Sequence, residues 1–379
     1  MTAAEAIAAS VRPSIFGPPA IDCDVHIAVP SISAIIPYLD AYWQAQFKMR
    51  GIERLSLGLT SAPPNAPISG RPDWRPAKGA PGTDLALLKS EAINAFRSSI
   101  AIANCIWGGM VLPSDDMAAA VCRAQNDWIA KEWLDREPRL RASIIVPLGN
   151  AGLAVEEIER RAGDNRFVQV LMLIGGQDLP GKRGFWPIYE AAERHGLAIG
   201  FHAGSSYHHP PMAGYGSTFT EDYVAQAFAF ETGLVSLVSE GVFAKYPQLK
   251  VVFSESGVAW LPPSLWRFDK TWRGVRAETP WVKLPPSEIV KNHVRLTLQP
   301  LDAPDEAGRL ERIVDHLGSD RVILFSSDFP HWHYEGTDAL PLVPSSALAR
   351  RILFDNAIET YPRIAADLLQ DPQHPPGRQ

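Results

Sequence analysis

Four places in this sequence put a carboxylate or an imidazole at the end of a short apolar run. Ile21-Asp22-Cys23-Asp24-Val25-His26 holds Asp24 and His26 two residues apart, a spacing that turns both side chains to one side of an extended strand. Gly200-Phe201-His202, Phe253-Ser254-Glu255 and Phe325-Ser326-Ser327-Asp328 each end in one such group. Imidazole nitrogens and carboxylate oxygens gathered from separate strands can close around one divalent cation and leave a position open for water or substrate. Asp24, His26, His202 and Asp328 are therefore the candidate metal ligands. Any one of them alone reads equally well as a buried, hydrogen-bonded polar residue, but four at matching strand ends argue for the metal. Glu255 stays open between three roles: a further ligand, a general base just outside the ion, or a partner orienting a ligand histidine.

Other histidines fall in loops that follow these runs. His208 and His209 lie in a Gly/Ser/Tyr/Pro stretch after His202, and His331 and His333 in Pro330-His331-Trp332-His333-Tyr334 after Asp328. Loops of this kind carry substrate contacts. His331, three residues past Asp328, is the candidate for a catalytic role beside Glu255. His208, Trp332, Arg71, Trp74 and Arg267 are the candidate substrate contacts, although for each arginine a surface or helix-anchoring ion pair is the simpler reading. His195, His293 and His316 fall at helix ends and read as structural. Trp74, Trp260, Trp266, Trp272 and Trp281 hint at an aromatic or apolar substrate; for Trp272 and Trp281, packing is the simpler reading.

Elements that would position these groups are short apolar runs separated by helical patterns. Strands are predicted over 20–26, 99–106, 141–146, 167–173, 197–202, 250–255, 294–298 and 321–327. Helices are predicted over 114–137, 150–162, 184–195, 221–245 and 304–317. Eight strands in this alternation predict a (β/α)8 barrel, a TIM barrel, in which chemistry sits at the C-terminal strand ends. A doubly wound open sheet is the competing arrangement, but the glycine-rich phosphate turn it would usually carry after its first strand is missing. Residues of about 50–85, rich in proline, glycine and serine, interrupt the alternation after strand one. Such an insertion would lie over the barrel mouth as a cap. The predicted organisation is an N-terminal extension over 1–14, one barrel domain over 15–370 and a flexible tail over 371–379.

Composition narrows the partners. The 379 residues carry 42 acidic against 36 basic side chains, a formal charge of -6 without a long basic run, which argues against nucleic acid. A hydrophobic share of 46 % supports a sizeable core. The absence of a stretch of about 18 apolar residues argues against a membrane span. Three scattered cysteines, Cys23, Cys105 and Cys122, fit neither a disulfide framework nor a cysteine zinc site. With no signal peptide visible, the expected setting is the cytoplasm.

The residues also carry a resemblance. Ile21-Asp22-Cys23-Asp24-Val25-His26, Phe201-His202-Ala203-Gly204, Gly241-Val242-Phe243-Ala244-Lys245-Tyr246-Pro247-Gln248-Leu249-Lys250 and Ser326-Ser327-Asp328-Phe329-Pro330-His331 follow one another in an order similar to the amidohydrolase-related family. The best-known members are metal-dependent decarboxylases. Within that family the chain is most similar to a subgroup with Glu-Ser-Gly-Val-Ala-Trp after strand six. The resemblance implies a barrel with one divalent metal, zinc first and manganese as the other choice, and a homodimer. His26, His202 and Asp328 match the family's ligand positions, and Asp24 stands where the family has His or Glu. Glu255 departs, since family decarboxylases have a histidine there. Strand four ends Leu171-Met172-Leu173-Ile174-Gly175-Gly176, without the lysine that would carry a bridging carbamate in two-metal relatives.

Three functions follow as expectations. The first is a mononuclear metal-dependent lyase that removes CO2 from a small aromatic or unsaturated carboxylic acid, with His331 or Glu255 as the proton donor. Alternatively, a metal-activated water hydrolyses an amide, ester or C–C bond with Glu255 as general base. The third is a barrel without catalysis that serves as a binding module, which the full set of ligand-type residues argues against.

Overall fold

The computed structural model describes residues 20–55, 70–176, 178–202, 217–302, 308–331 and 346–370. The expected extension over 1–14, the tail over 371–379, and His208, His209, Trp332 and His333 lie outside the described residues. Eight strands run parallel, side by side in chain order. They are β1 (Ile21–His26), β2 (Ile100–Asn104), β3 (Leu140–Ile145), β4 (Phe167–Leu173), β5 (Ala198–His202), β6 (Val251–Ser254), β7 (Val294–Thr297) and β8 (Ile323–Leu324). The sheet closes on itself where the chain leaves β8. Cys23 N donates to Phe325 O at 2.9 Å, Asp328 N donates to Asp24 O at 3.1 Å, and Val25 bridges in parallel to Phe329. This is the predicted barrel, and each predicted strand is present within a few residues.

Helices α1 (Ala41–Arg50), α2 (Asp115–Ile129), α3 (Ala151–Arg161), α4 (Trp186–Arg194), α5 (Phe219–Ser239), α6 (Leu261–Val275), α7 (Pro286–His293), α8 (Arg309–Leu317) and α9 (Pro362–Gln370) accompany the strands. Ser114 and Asn150 cap α2 and α3, accepting hydrogen bonds from Met117 N and Leu153 N. Each cap satisfies a backbone donor that the first helical turn leaves without a partner. Thr218 and Glu221 form a reciprocal capping box at α5. The helix predicted over 221–245 is broken at Gly241, whose left-handed φ of 83° lets the chain turn past the Trp281 indole. The helix predicted from residue 114 to 137 changes at Ala130 to a wider π turn ending at Leu134.

Apolar residues form two layers. The larger lies between strands and helices. The smaller holds Ile21, Cys23, Ile100, Ile102, Val168, Ala198, Val252 and Leu324, and is joined by Ala357, Tyr361 and Ile364 from the C-terminal segment. Of the 50–85 insertion, residues 56–69 lie outside the described set. The remainder is tied to the ends of the first and last strands. Ala28 N donates to Gly82 O at 2.9 Å, and Arg71 N donates to Pro330 O at 2.8 Å. Trp74 is buried against Phe329, ring centroids 5.1 Å apart. No helix among the described residues is long and apolar enough to cross a membrane.

Candidate metal centre

Strand ends bring six ionisable side chains to one point. Asp24 and His26 come from β1, which is buried at all six positions. The register of β1 on β2 slips between Asp22 and Val25, a bulge of the kind that re-aims side chains. His202 is the last residue of β5. Glu255 follows β6, and Asp328 and His331 follow β8. Among the described non-glycine residues, only Arg97, Glu255 and Asp328 have positive φ. Two of these three belong to the cluster, and backbone strain of this kind persists where the surroundings over-determine it. Thr297 Oγ1 accepts from Glu255 N at 3.0 Å and anchors one of the two.

Distances within the cluster are short. His26 Nε2 lies 3.0 Å from Glu255 Oε1, 3.1 Å from Asp328 Oδ1 and 3.4 Å from Asp24 Oδ1. His202 Nε2 lies 3.3 Å from both His26 Nε2 and Glu255 Oε1, and 3.6 Å from Asp24 Oδ2. His331 Nδ1 lies 2.9 Å from Glu255 Oε1 and 3.1 Å from Asp328 Oδ1. Two overlapping sets have mutually close ligand atoms: Asp24, His26, His202 and Glu255, and His26, Glu255, Asp328 and His331. Glu255 and His26 belong to both. Two buried oxygens here, Asp24 Oδ2 and Asp328 Oδ2, accept no hydrogen bond from the described residues. Buried carboxylate oxygens are costly unless they are paired or coordinate a cation. The donor set, imidazole nitrogen with carboxylate oxygen, fits a divalent transition metal.

Charge in the cluster is strongly coupled. Burial opposes the imidazolium of His202, yet Glu255 and Asp24 outweigh it and hold its pKa well above the usual value. The same balance holds for His331, where Asp328 and Glu255 outweigh burial. Burial alone would raise Glu255, but His202 and His331 hold it well below the ordinary carboxylate range. Asp328 moves the other way, raised by burial and by the neighbouring Glu255 charge. Beneath the site, Asp22 Oδ1 accepts from Ser327 N at 3.0 Å and Asp24 N at 3.3 Å, and so ties β1 to the loop after β8. Burial raises its pKa to about 7, against the opposing effect of Ser327.

The structure thus gathers Asp24, His26, His202, Glu255, Asp328 and His331. Arg71 and Trp74 stand beside the loop that carries His331, with the guanidinium carbon 4.7 Å from the indole centroid. Arg267 is elsewhere: it is exposed on α6 and lines a surface cavity of about 640 Å³ with Trp260, Trp266, Glu231 and Lys270. Trp266 is mostly exposed, whereas Trp281 packs its indole against Gly241 and donates from Nε1 to Ser239 O at 2.7 Å. Trp272 packs against the core. Tyr223 on α5 was not legible as a site residue. Burial, and then the charges of Glu255, Asp328, Asp24 and Asp302, push its phenol well above the usual pKa. Also missed was a set of polar residues inside the barrel, Asn104, Ser143 and Gln169. Their signal was a polar side chain within an otherwise apolar strand.

Comparison with known proteins agrees with this geometry. The amidohydrolase family model matches residues 21–363, and the chain belongs to that family. A γ-resorcylate decarboxylase from a Rhizobium species is 28% identical over 243 residues, covering 58% of this chain and 68% of the relative. A Polaromonas enzyme of the same name is 27% identical over 233 residues, covering 56% and 67%. Among solved structures, a 5-carboxyvanillate decarboxylase from Novosphingobium aromaticivorans, with bound manganese, superposes with a TM-score of 0.70. It is 18% identical, and the match covers 92% of this chain and 98% of that one. An amidohydrolase from Mycobacterium avium subsp. paratuberculosis superposes at 0.66 with 22% identity, covering 90% and 98%. At these identities the superpositions establish the shared fold.

Proposed function

We propose that this chain is a divalent-metal-dependent decarboxylase of small aromatic carboxylic acids. The observation that carries this reading is the convergence of Asp24, His26, His202, Glu255 and Asp328 at the strand ends, with buried oxygens of Asp24 and Asp328 that accept no hydrogen bond from the described residues. Asp24, His26, His202 and Asp328 would hold one ion, with Glu255 in contact with it. Zn2+ is the proposed ion, and Mn2+ suits the same donors. When bound, it supplies positive charge that holds an anionic substrate and draws electrons from its reacting carbon. The aromatic acid as substrate rests on the relatives named for γ-resorcylate.

His331 supplies the proton. In the metal-free chain Asp328 and Glu255 raise its pKa, which favours the imidazolium form. As the bond from ring carbon to carboxylate breaks and CO2 leaves, that proton is delivered to the ring carbon, and solvent restores it afterwards. Arg71, whose Nε donates to Asp73 Oδ1 at 2.7 Å and whose buried Nη1 has no hydrogen-bond partner among the described residues, would take a second anionic or phenolic oxygen, and Trp74 would wall the ring; His208 and Trp332 remain proposed contacts. The hydrolytic alternative asks Glu255 to accept a proton. The relatives named for γ-resorcylate decarboxylation favour the first reading over it.

Two settings belong to the same proposal. Three buried, unpaired cysteines fit a reducing cytoplasm. Exposed Val224, Phe228 and Val235 along α5 fit a homodimer contact, which light scattering would read as a doubled mass. To test the activity, the purified chain is analysed for metal and supplied with 2,6-dihydroxybenzoate and 5-carboxyvanillate, beside a panel of esters and amides. About one ion per chain and CO2 released in step with the decarboxylated phenol is the expected result. Ester or amide turnover without CO2 would replace this reading with hydrolysis.

A further inference from the structure

A line of buried side chains runs from Asp24 into the barrel. Asn104 Nδ2 donates to Asp24 Oδ1 at 2.8 Å, and Ser143 Oγ donates to Asn104 Oδ1 at 2.6 Å. Gln169 Nε2 donates to Ser143 Oγ at 2.9 Å, and Tyr361 OH donates to Gln169 Oε1 at 3.1 Å. All five residues are fully buried. They come from β1, β2, β3 and β4 in turn and end on the segment entering α9.

The direction of every bond is fixed by its first acceptor. A carboxylate can only accept, so Asn104 must present its NH2 group and turn its carbonyl to Ser143. Ser143 must then donate, which leaves its oxygen to accept from the Gln169 NH2. The Gln169 carbonyl therefore faces Tyr361, whose phenol must donate. The four bonds lie head to tail, and each polarises the next toward Asp24. The barrel makes room for this line. β3 slips on β4 between Ala142 and Ser143, and a Cβ at Gly200 on β5 would overlap the Gln169 carboxamide.

We infer that Asn104, Ser143, Gln169 and Tyr361 are positioning residues that pin Asp24 Oδ1 and leave Asp24 Oδ2 directed to the metal. This rests on the metal reading given above. Pinning one oxygen removes a rotation that the ion would otherwise have to freeze, so an intact line strengthens metal binding from as far away as Tyr361. Amides do not pass protons readily, so the line orients rather than relays.

The test measures Mn2+ affinity by chelator competition, and the Mn2+ electron paramagnetic resonance spectrum, on the full chain and on Ser143→Ala and Tyr361→Phe. Ser98→Ala removes a buried hydroxyl outside the line and serves as the control. Ser143→Ala should weaken affinity about tenfold, the lower end of what supporting residues contribute at metal sites, with a smaller loss in Tyr361→Phe. Both should change the spectrum, and Ser98→Ala should do neither. If Ser143→Ala fails to fold, Tyr361→Phe still decides, since it removes one oxygen. Wild-type uptake with unchanged affinity and spectrum in the variants overturns the role of the line alone. No Mn2+ uptake by the wild-type chain overturns the metal reading, and the role of the line with it.

Discussion

Glu255 and Asp328 leave β6 and β8 through the same left-handed backbone, with φ of 57° and 54°, and bring oxygens to 3.0 and 3.1 Å from one atom, His26 Nε2. Left-handed backbone costs a residue with a Cβ roughly 1–2 kcal/mol, and two carboxylates beside one imidazole repel each other. The protein bears both costs in its metal-free form. Asp328→Asn removes one charge, and asparagine tolerates this backbone well. The variant should keep its metal-free stability or gain up to about 1 kcal/mol, while its divalent-ion content falls from about one per chain toward zero. Urea unfolding with chelator present, beside elemental analysis, checks both halves; a large loss of metal-free stability would show that Asp328 holds the fold rather than an ion.

Ion binding should be visible in stability. A ligand that binds only the folded chain adds about 2.7 kcal/mol at a free concentration a hundred times its Kd. Adding Zn2+ or Mn2+ to chelated protein should therefore raise Tm by several degrees in the wild type and leave Asp328→Asn nearly unmoved. Equal shifts in both proteins would point to binding away from the cluster.

Much of this site was legible because metal chemistry needs particular residue types and a barrel delivers them at strand ends. Asp24, His26, His202 and Asp328 each stood out as a charged or imidazole group closing an apolar run. Their joint reading needed only the alternation of strands and helices. Glu255 stayed open in sequence because a ligand, a base and an orienting carboxylate share one residue type; the structure adds its closeness to three imidazoles. The line from Asn104 to Tyr361 was not legible for a different reason. Its members are spread over 258 positions of sequence, and what joins them is register slippage between neighbouring strands, which no periodicity reports. Arg267 illustrates the converse: proximity in sequence to strand six did not bring it to the mouth, because α6 turns that face to solvent.

His331 should separate from the ligands by its kinetics. Asp328 and Glu255 hold its imidazolium above the usual pKa, so the acid is present at neutral pH and is lost as pH rises through that raised value. Activity of the wild type should accordingly fall on the alkaline side. His331→Asn should retain about one ion per chain, lose roughly a hundredfold or more in kcat, as loss of a general acid does, and lose that alkaline limb. A variant that loses its metal instead would make His331 a ligand.

Away from the site, Glu137 offers a test of the fold's acid sensitivity. It is 2 % exposed, and its carboxylate accepts from Arg139 Nε at 2.8 Å, Arg139 Nη2 at 3.0 Å and Lys89 Nζ at 3.0 Å. The Arg139 hydrogen bonds outweigh burial and, with Lys89, hold its pKa down to about 2. A folded pKa below the unfolded value means stability that is fully present above the unfolded value and lost as pH falls through the folded one. Arg139 is about a third exposed, so screening reduces the contribution to about 1–2 kcal/mol at pH 7. Glu137→Gln should cost that amount at pH 7 and roughly half or less of it at pH 3. Urea unfolding at the two pH values measures the difference. An equal loss at both would mean that the glutamine disturbs packing between the end of α2 and β3, and that the ion pair contributes little.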